Sequence, residues 1–220
     1  MSFKTAIKPA NAAQRRYIEL LSQPKPHVVV ATGAAGSGKT LLATHVGLQM
    51  LKASSVNKIV ITRPTVGAGN ENLGFLPGSL EEKMAPWVRP IHDILDYYYP
   101  RTKIQSMINE GVIEISPLAY MRGRTFENSW IICDEAQNTT QSQMYMMLTR
   151  IGQKSKMVLT GDLAQSDIQG TSGLKDFLDK WDVFNNDSFD PSYLIDHVAF
   201  SGDDVLRSEA AKEIIKIYQA

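Results

Sequence analysis

The sequence predicts an α/β fold, a parallel sheet covered by helices on both faces, and three observations carry that expectation. Short apolar runs such as Val28-Val29-Val30-Ala31, Lys58-Ile59-Val60-Ile61-Thr62 and Lys156-Met157-Val158-Leu159-Thr160 read as strands buried on both sides. Strands alternate with helices along the chain, the pattern that accompanies parallel pairing. A glycine loop, Gly33-Ala34-Ala35-Gly36-Ser37-Gly38-Lys39-Thr40, joins the first strand to a helix. It fits G-x-x-x-x-G-K-[ST] without a mismatch, in the strand–loop–helix context that this pattern needs.

The elements follow in order. Lys8-Pro9-Ala10-Asn11 precede a first helix, which contains Gln14. Residues 28–31 form the first strand, and residues 41–51 continue from the glycine loop as a helix. Residues 58–62 are a strand, followed by Arg63-Pro64 and a glycine-rich stretch over 67–78. Further strands are expected at 112–116, 130–133, 156–160 and 193–200. A last helix is expected over 204–218, with Leu206, Ala210, Ile214 and Ile217 on one face. Residues 185–192 read as a polar loop. No internal repeat or low-complexity tract divides the chain, so residues 1–220 are expected as one domain.

Composition narrows the function classes. Lysine plus arginine balance aspartate plus glutamate at 23 each, so no global field advertises a nucleic-acid partner and any basic surface must be local. Cys133 is the one cysteine, which excludes an intrachain disulfide and fits a reducing cytoplasm; its apolar neighbours make it a core residue. No signal peptide and no bilayer-spanning run is present, so a cytoplasmic location with no membrane partner is expected.

The glycine loop carries the first chemistry. Its glycines let the backbone curl until successive N–H groups face phosphate oxygens, and the following helix N-terminus adds partial positive charge. Lys39 is expected to reach the β- and γ-phosphates and the Thr40 hydroxyl to ligate Mg²⁺. The alternative is a glycine-rich turn with an incidental Lys-Thr. A second motif, Asp134-Glu135-Ala136-Gln137, ends the strand at 130–133, where an acid sits at the mouth of an α/β sheet. Asp134 is the expected Mg²⁺ partner, through a water, and Glu135 is suited to orient and deprotonate the attacking water. A helix-capping Asp-Glu pair is the plainer alternative. After the next strand, Gly161-Asp162-Leu163-Ala164-Gln165 offers Gln165 to the γ-phosphate, with Thr160 and Asp162 in support.

In this order the three motifs resemble the first RecA-like domain of superfamily 1 helicases, and more closely the PhoH-like ATPases. The matching residues include Ile61-Thr62-Arg63-Pro64, Leu73-Gly74-Phe75-Leu76-Pro77-Gly78, Met84, Pro86-Trp87, Met121-Arg122-Gly123-Arg124-Thr125-Phe126 and Asp134-Glu135-Ala136-Gln137-Asn138. The resemblance covers residues 9–218 and implies a P-loop NTPase of RecA-like architecture. It departs at Asp204-Val205-Leu206-Arg207-Ser208-Glu209, where Ser-Glu stands in place of the family's His-Pro. It further implies that Gln14 reads adenine, against the alternative of a solvent-facing helix residue, which favours ATP over GTP. It points to single-stranded RNA or DNA as a partner, held by Arg63, Arg122 and Arg124; the alternative is that these arginines form intramolecular salt bridges or face a neighbouring subunit. Tyr97-Tyr98-Tyr99 reads as packing rather than a base-stacking surface. The expected activity is ATP hydrolysis by a helicase-like motor, with a slow ATP-dependent switch as the alternative. With one RecA-like domain in this sequence, Arg207 is expected as an arginine finger given in trans within a homohexamer. A surface arginine paired with Asp203 or Asp204 is the plainer reading of Arg207.

Overall fold

The structure is a computed structural model, and it describes residues 7–64, 89–187 and 194–204, with residues 210, 213, 214 and 217 beyond them. The stretch at 67–78, Met84, Pro86, Trp87 and Arg207 lie outside the described residues. Among the described residues six strands are present: β1 (Val28–Thr32), β2 (Lys58–Arg63), β3 (Ile113–Pro117), β4 (Ser129–Cys133), β5 (Lys156–Gly161) and β6 (Ile195–Ala199). They form one sheet in the order β3-β2-β4-β5-β1-β6, and every pairing is parallel.

The alternation along each strand decides which layer it feeds. Val29, Ala31, Ile59, Ile61, Trp130, Ile132 and Val158 point to one face. There they meet α1 (Ala12–Ser22), α2 (Lys39–Lys52) and α3 (Arg101–Asn109) through Tyr17, Leu21, Leu42, Val46, Ile104 and Met107. Val28, Val30, Val60, Ile131, Cys133, Met157 and Leu159 point to the other face. That face is covered by Met144 and Met147 of α4 (Gln141–Leu148) and Leu174 and Leu178 of α5 (Gly173–Asp187). Both faces are therefore dry, which is why the strands carry nearly continuous apolar runs. This is the expected three-layer, RecA-like P-loop architecture. Cys133 is a core residue as expected, and burial pushes its thiol well above the usual range.

Several boundaries differ from expectation. Helix α2 starts at Lys39, inside the glycine loop, and β3 starts at Ile113. Among the described residues, helices α3, α4 and α5 were not individually read from the sequence. Of these, α5 shows Leu174, Phe177, Leu178 and Trp181 at helical spacing, and it runs to Asp187, so residues 185–187 are helix rather than loop. Helix α4 opens with a capping box in which Thr140 and Gln143 satisfy each other's backbone N–H. Residues Gly202–Asp204 form a 3-10 turn where the last helix was expected to begin, while 210, 213, 214 and 217 are helical and exposed. Tyr98 is buried and stacks on His45, and Tyr99 packs on the core, so these two are packing as expected, whereas Tyr97 is 51% exposed and meets the Tyr98 ring edge-on. Among the described residues no helix is long and apolar enough to cross a membrane.

One contact sets where α2 lies. A Cβ on Gly47 would stand 2.6 Å from the Trp130 indole, and Trp130 Nε1 donates to the Ala43 carbonyl at 3.1 Å. The helix is thereby laid directly on β4, with its N-terminus at the same edge of the sheet as the end of β4.

Candidate nucleotide-binding site

Chain order and sheet order disagree at β1, and that disagreement makes the site. From β1 the chain crosses past the positions of β5 and β4 to form β2, then returns to place β4 and β5 between them. Loops after β1, β4 and β5 consequently converge at the carboxyl ends of the strands, where open α/β sheets bind ligands. They line a cleft with Ala35, Gly36, Gly38, Lys39, Thr40, Asp134, Glu135, Asp162 and Gln165 on its walls.

The glycine loop adopts a shape that other residues would resist. Gly33 has φ 133°, and a Cβ there would lie 2.2 Å from the Phe200 carbonyl oxygen. Gly38 is the N-cap of α2 in the left-handed region, φ 89°, and no side chain caps that helix. The first N–H groups of α2 are therefore left for a ligand, with the helix dipole behind them. Lys39 is 8% exposed, and its ammonium donates to the Gly33 carbonyl at 2.6 Å, the Ala34 carbonyl at 2.9 Å and Ser37 Oγ at 3.2 Å. Burial lowers its pKa, and Asp162, Glu135 and Asp134 oppose that shift.

At the floor of the cleft two hydroxyls converge on one carboxylate oxygen. Thr40 Oγ1 and Thr160 Oγ1 each donate to Asp134 Oδ1 at 2.7 Å. Thr40 and Asp134 bring a hydroxyl and a carboxylate together beside the phosphate loop, a hard-oxygen set that suits Mg²⁺ while leaving room for its waters and phosphate oxygens. Glu135 follows in the left-handed region, φ 53° and ψ 41°, uncommon for a residue with a side chain. Its Oε1 is 2.8 Å from Arg63 Nη2, and its Oε2 accepts from Gln137 Nε2 at 2.6 Å.

Gln137 is a site residue that the motif contained and the sequence reading gave no role. It is 1% exposed, and its Oε1 accepts from the Asp162 N–H at 3.0 Å. Gly161 permits this closeness, since a Cβ there would lie 2.7 Å from that oxygen. One amide thus ties the Glu135 carboxylate to the loop after β5. The available signal was a glutamine two residues past an acid at a strand end, directed back across the mouth.

The remaining expected residues are placed as follows. Gln165 is exposed on the cleft rim. Gln14 is 2% exposed rather than solvent-facing; it donates to the Ser37 carbonyl at 3.0 Å and accepts from the Ala10 N–H at 2.8 Å. It braces the loop from behind, and reading adenine would require those bonds to be exchanged. Arg122 is exposed. Arg124 takes the intramolecular alternative: both its terminal nitrogens bond Glu114, at 2.5 and 2.8 Å, and its guanidinium lies 4.5 Å from the Phe126 ring centre.

The chain is 41% identical over 215 residues to a PhoH-like protein of Mycobacterium bovis, covering 96% of this chain and 58% of that one. It is 45% identical over 163 residues to a PhoH-like protein of Bacillus subtilis, covering 74% and 50%. It is 38% identical over 216 residues to Protein PhoH of Escherichia coli K12, covering 96% and 58%. The chain therefore spans about half the length of the relatives it matches. A slight likeness links it to the SWI2/SNF2 ATPase core of Sulfolobus solfataricus in complex with dsDNA, with TM-score 0.44 and 15% identity over 72% of this chain and 32% of that one. A family model described as PhoH-like protein matches residues 6–219, and the chain belongs to the PhoH-like family.

Proposed function

We propose that the protein is a Mg²⁺-dependent ATP hydrolase and a helicase-like motor acting on single-stranded RNA or DNA in the cytoplasm. The observation that supports hydrolysis best is the junction at Asp134, where Thr40 and Thr160 share one carboxylate oxygen beside the uncapped start of α2. Lys39 exchanges the Gly33 and Ala34 carbonyls for β- and γ-phosphate oxygens, while the backbone from Gly33 to Gly38 cradles them. Thr40 and Asp134 hold the ion, and Thr160 fixes Asp134 in place. Bound Mg²⁺ supplies neutralisation of the developing phosphate charge. Glu135 orients the attacking water and accepts its proton, and Gln165 on the rim senses the γ-phosphate. Gln14 reads adenine once its bond to Ser37 is exchanged. Arg63 and Arg122 take strand phosphates, while Arg124, committed to Glu114, contributes less.

The same reading includes a homohexameric ring in which Arg207 completes the neighbour's site. Mixing Arg207→Ala with Lys39→Ala protein then restores part of the ATPase activity, because one interface combines an intact loop with an intact arginine; no recovery removes the trans assignment. The central experiment is steady-state ATP hydrolysis with and without poly(U) and oligo(dT), beside a strand-displacement assay. GTP hydrolysed much faster than ATP removes the adenine assignment. The alternative, a slow ATP-dependent switch, draws support from a Glu135 carboxylate engaged by two donors, which suits slow basal turnover. Stimulated hydrolysis with no strand displacement favours that alternative.

A further inference from the structure

We propose that Arg63 is a positioning residue that holds the Glu135 carboxylate off the attacking water, and that a phosphate of a bound single strand draws the guanidinium away and frees it. This rests on Glu135 being the base proposed above. Arg63 ends β2, the strand beside β4, so the sheet itself brings it to the residue after Asp134. Its Nη2 stands 2.8 Å from Glu135 Oε1, and Gln137 donates to Oε2, so both carboxylate oxygens are occupied by donors of this chain. A general base must direct an oxygen at its water within hydrogen-bond reach. A carboxylate has about four lone-pair sites in all, so two donors hinder that approach without closing it.

The left-handed backbone at Glu135 fits the same picture. Such conformations concentrate where a side chain must be aimed against local preference, commonly at switch positions. The pair itself is of the exchangeable kind. Its side chains are 27% and 37% exposed and meet through Arg63 Nη2 and Glu135 Oε1, whereas Arg124 grips both oxygens of Glu114 and lies over Phe126. Exposed single ion pairs are weak and screened by solvent. A phosphodiester offers the guanidinium two oxygens in the fork geometry it matches best, so a strand at the mouth outcompetes one carboxylate oxygen. Arg63 thereby couples strand binding to the base, a role different from holding the strand alone.

The test uses the full chain and Arg63→Gln, which removes the charge but keeps a donor. Basal ATP turnover is expected to rise about two- to five-fold at unchanged KM for ATP, the range that a partly exposed pair can restrain. Addition of poly(U) or oligo(dT), whichever stimulates the parent, is expected to give no further rise. A basal rate at or below the parental one, in protein that melts like the parent, overturns the proposal. So does an undiminished response to the strand, or a parent that neither strand stimulates. Should Arg63→Gln be unstable, Arg63→Lys carries the test: a raised basal rate with a weaker strand response supports the proposal, and parental values of both overturn it. Glu135→Gln measured alongside separates the two readings. Parental turnover there removes Glu135 as the base; lost turnover there with no rise in Arg63→Gln removes only the role of Arg63.

Discussion

Lys39 and Lys156 are buried almost equally, 8% and 6% exposed, and each ammonium donates to three oxygens. Their places in the sheet separate them. Lys39 lies at the mouth, where Asp162, Glu135 and Asp134 surround it and its partners are atoms of the loop that a phosphate can replace. Lys156 lies at the opposite end of β5, and it accepts no such exchange: its partners are the carbonyls of Leu20, Leu21 and Gln23, at the end of α1. Burial lowers Lys156 to about 8, so it stays charged at neutral pH and neutralises the carbonyl end of a helix. The lesson is that a buried lysine marks a site only when its partners are exchangeable and face a cleft. Arg63 and Arg124 repeat the contrast with carboxylates.

The sharpest way to test the mouth is Glu135→Gln, which keeps size and hydrogen-bonding reach but removes the base. ATP should still bind while turnover falls by roughly two to four decades, the usual contribution of a positioned base. Single-turnover hydrolysis beside equilibrium nucleotide binding measures both, and parental turnover discards the assignment.

The two lysines should then fail in different ways. Lys39→Ala should weaken ATP binding by about one to two decades, matching the loss of charge-assisted hydrogen bonds, with little change in melting. Lys156→Met leaves the carbonyls ending α1 without their donor and should lower stability by about 1–3 kcal/mol, with nucleotide affinity kept in the folded protein. Urea melts and a fluorescent-nucleotide titration on both variants decide this. Equal stability losses, with affinity unchanged in each, would erase the distinction.

A smaller effect is the pH dependence of the Arg124–Glu114 pair. Glu114 is lowered from 4.5 to about 2, chiefly by the hydrogen bonds from Arg124 and then by Lys58, with burial opposing. A carboxylate depressed in the folded state adds stability above its unfolded value, and that stability is lost as pH falls from 4.5 toward 2. Allowing for partners that are 29% and 37% exposed, the contribution is about 1–2 kcal/mol. Glu114→Gln should therefore be less stable than the parent at pH 7 and approach it at acid pH. A gap that stays constant from neutral to acid pH would show that the cluster contributes through packing alone.

The glycine loop was legible because its geometry is local: Gly33 and Gly38 need backbone angles that their own residue type permits. The strands were legible because burial on both faces leaves continuous apolar runs. Helices α3, α4 and α5 were less so, although the spacing in α5 and the capping box of α4 were present to be read. What the sequence determined by itself was thus the set of elements that burial and backbone preference impose locally, and the motif residues they carry. Only the tertiary structure decided that Thr40 meets Asp134 from 94 positions away, that Gln14 turns inward to brace Ser37, that Arg124 is spent on Glu114, and that Arg63 and Gln137 hold Glu135. Those contacts follow from strand order, and strand order is set by how both faces of the sheet are covered together, a property of the whole chain that no local stretch contains.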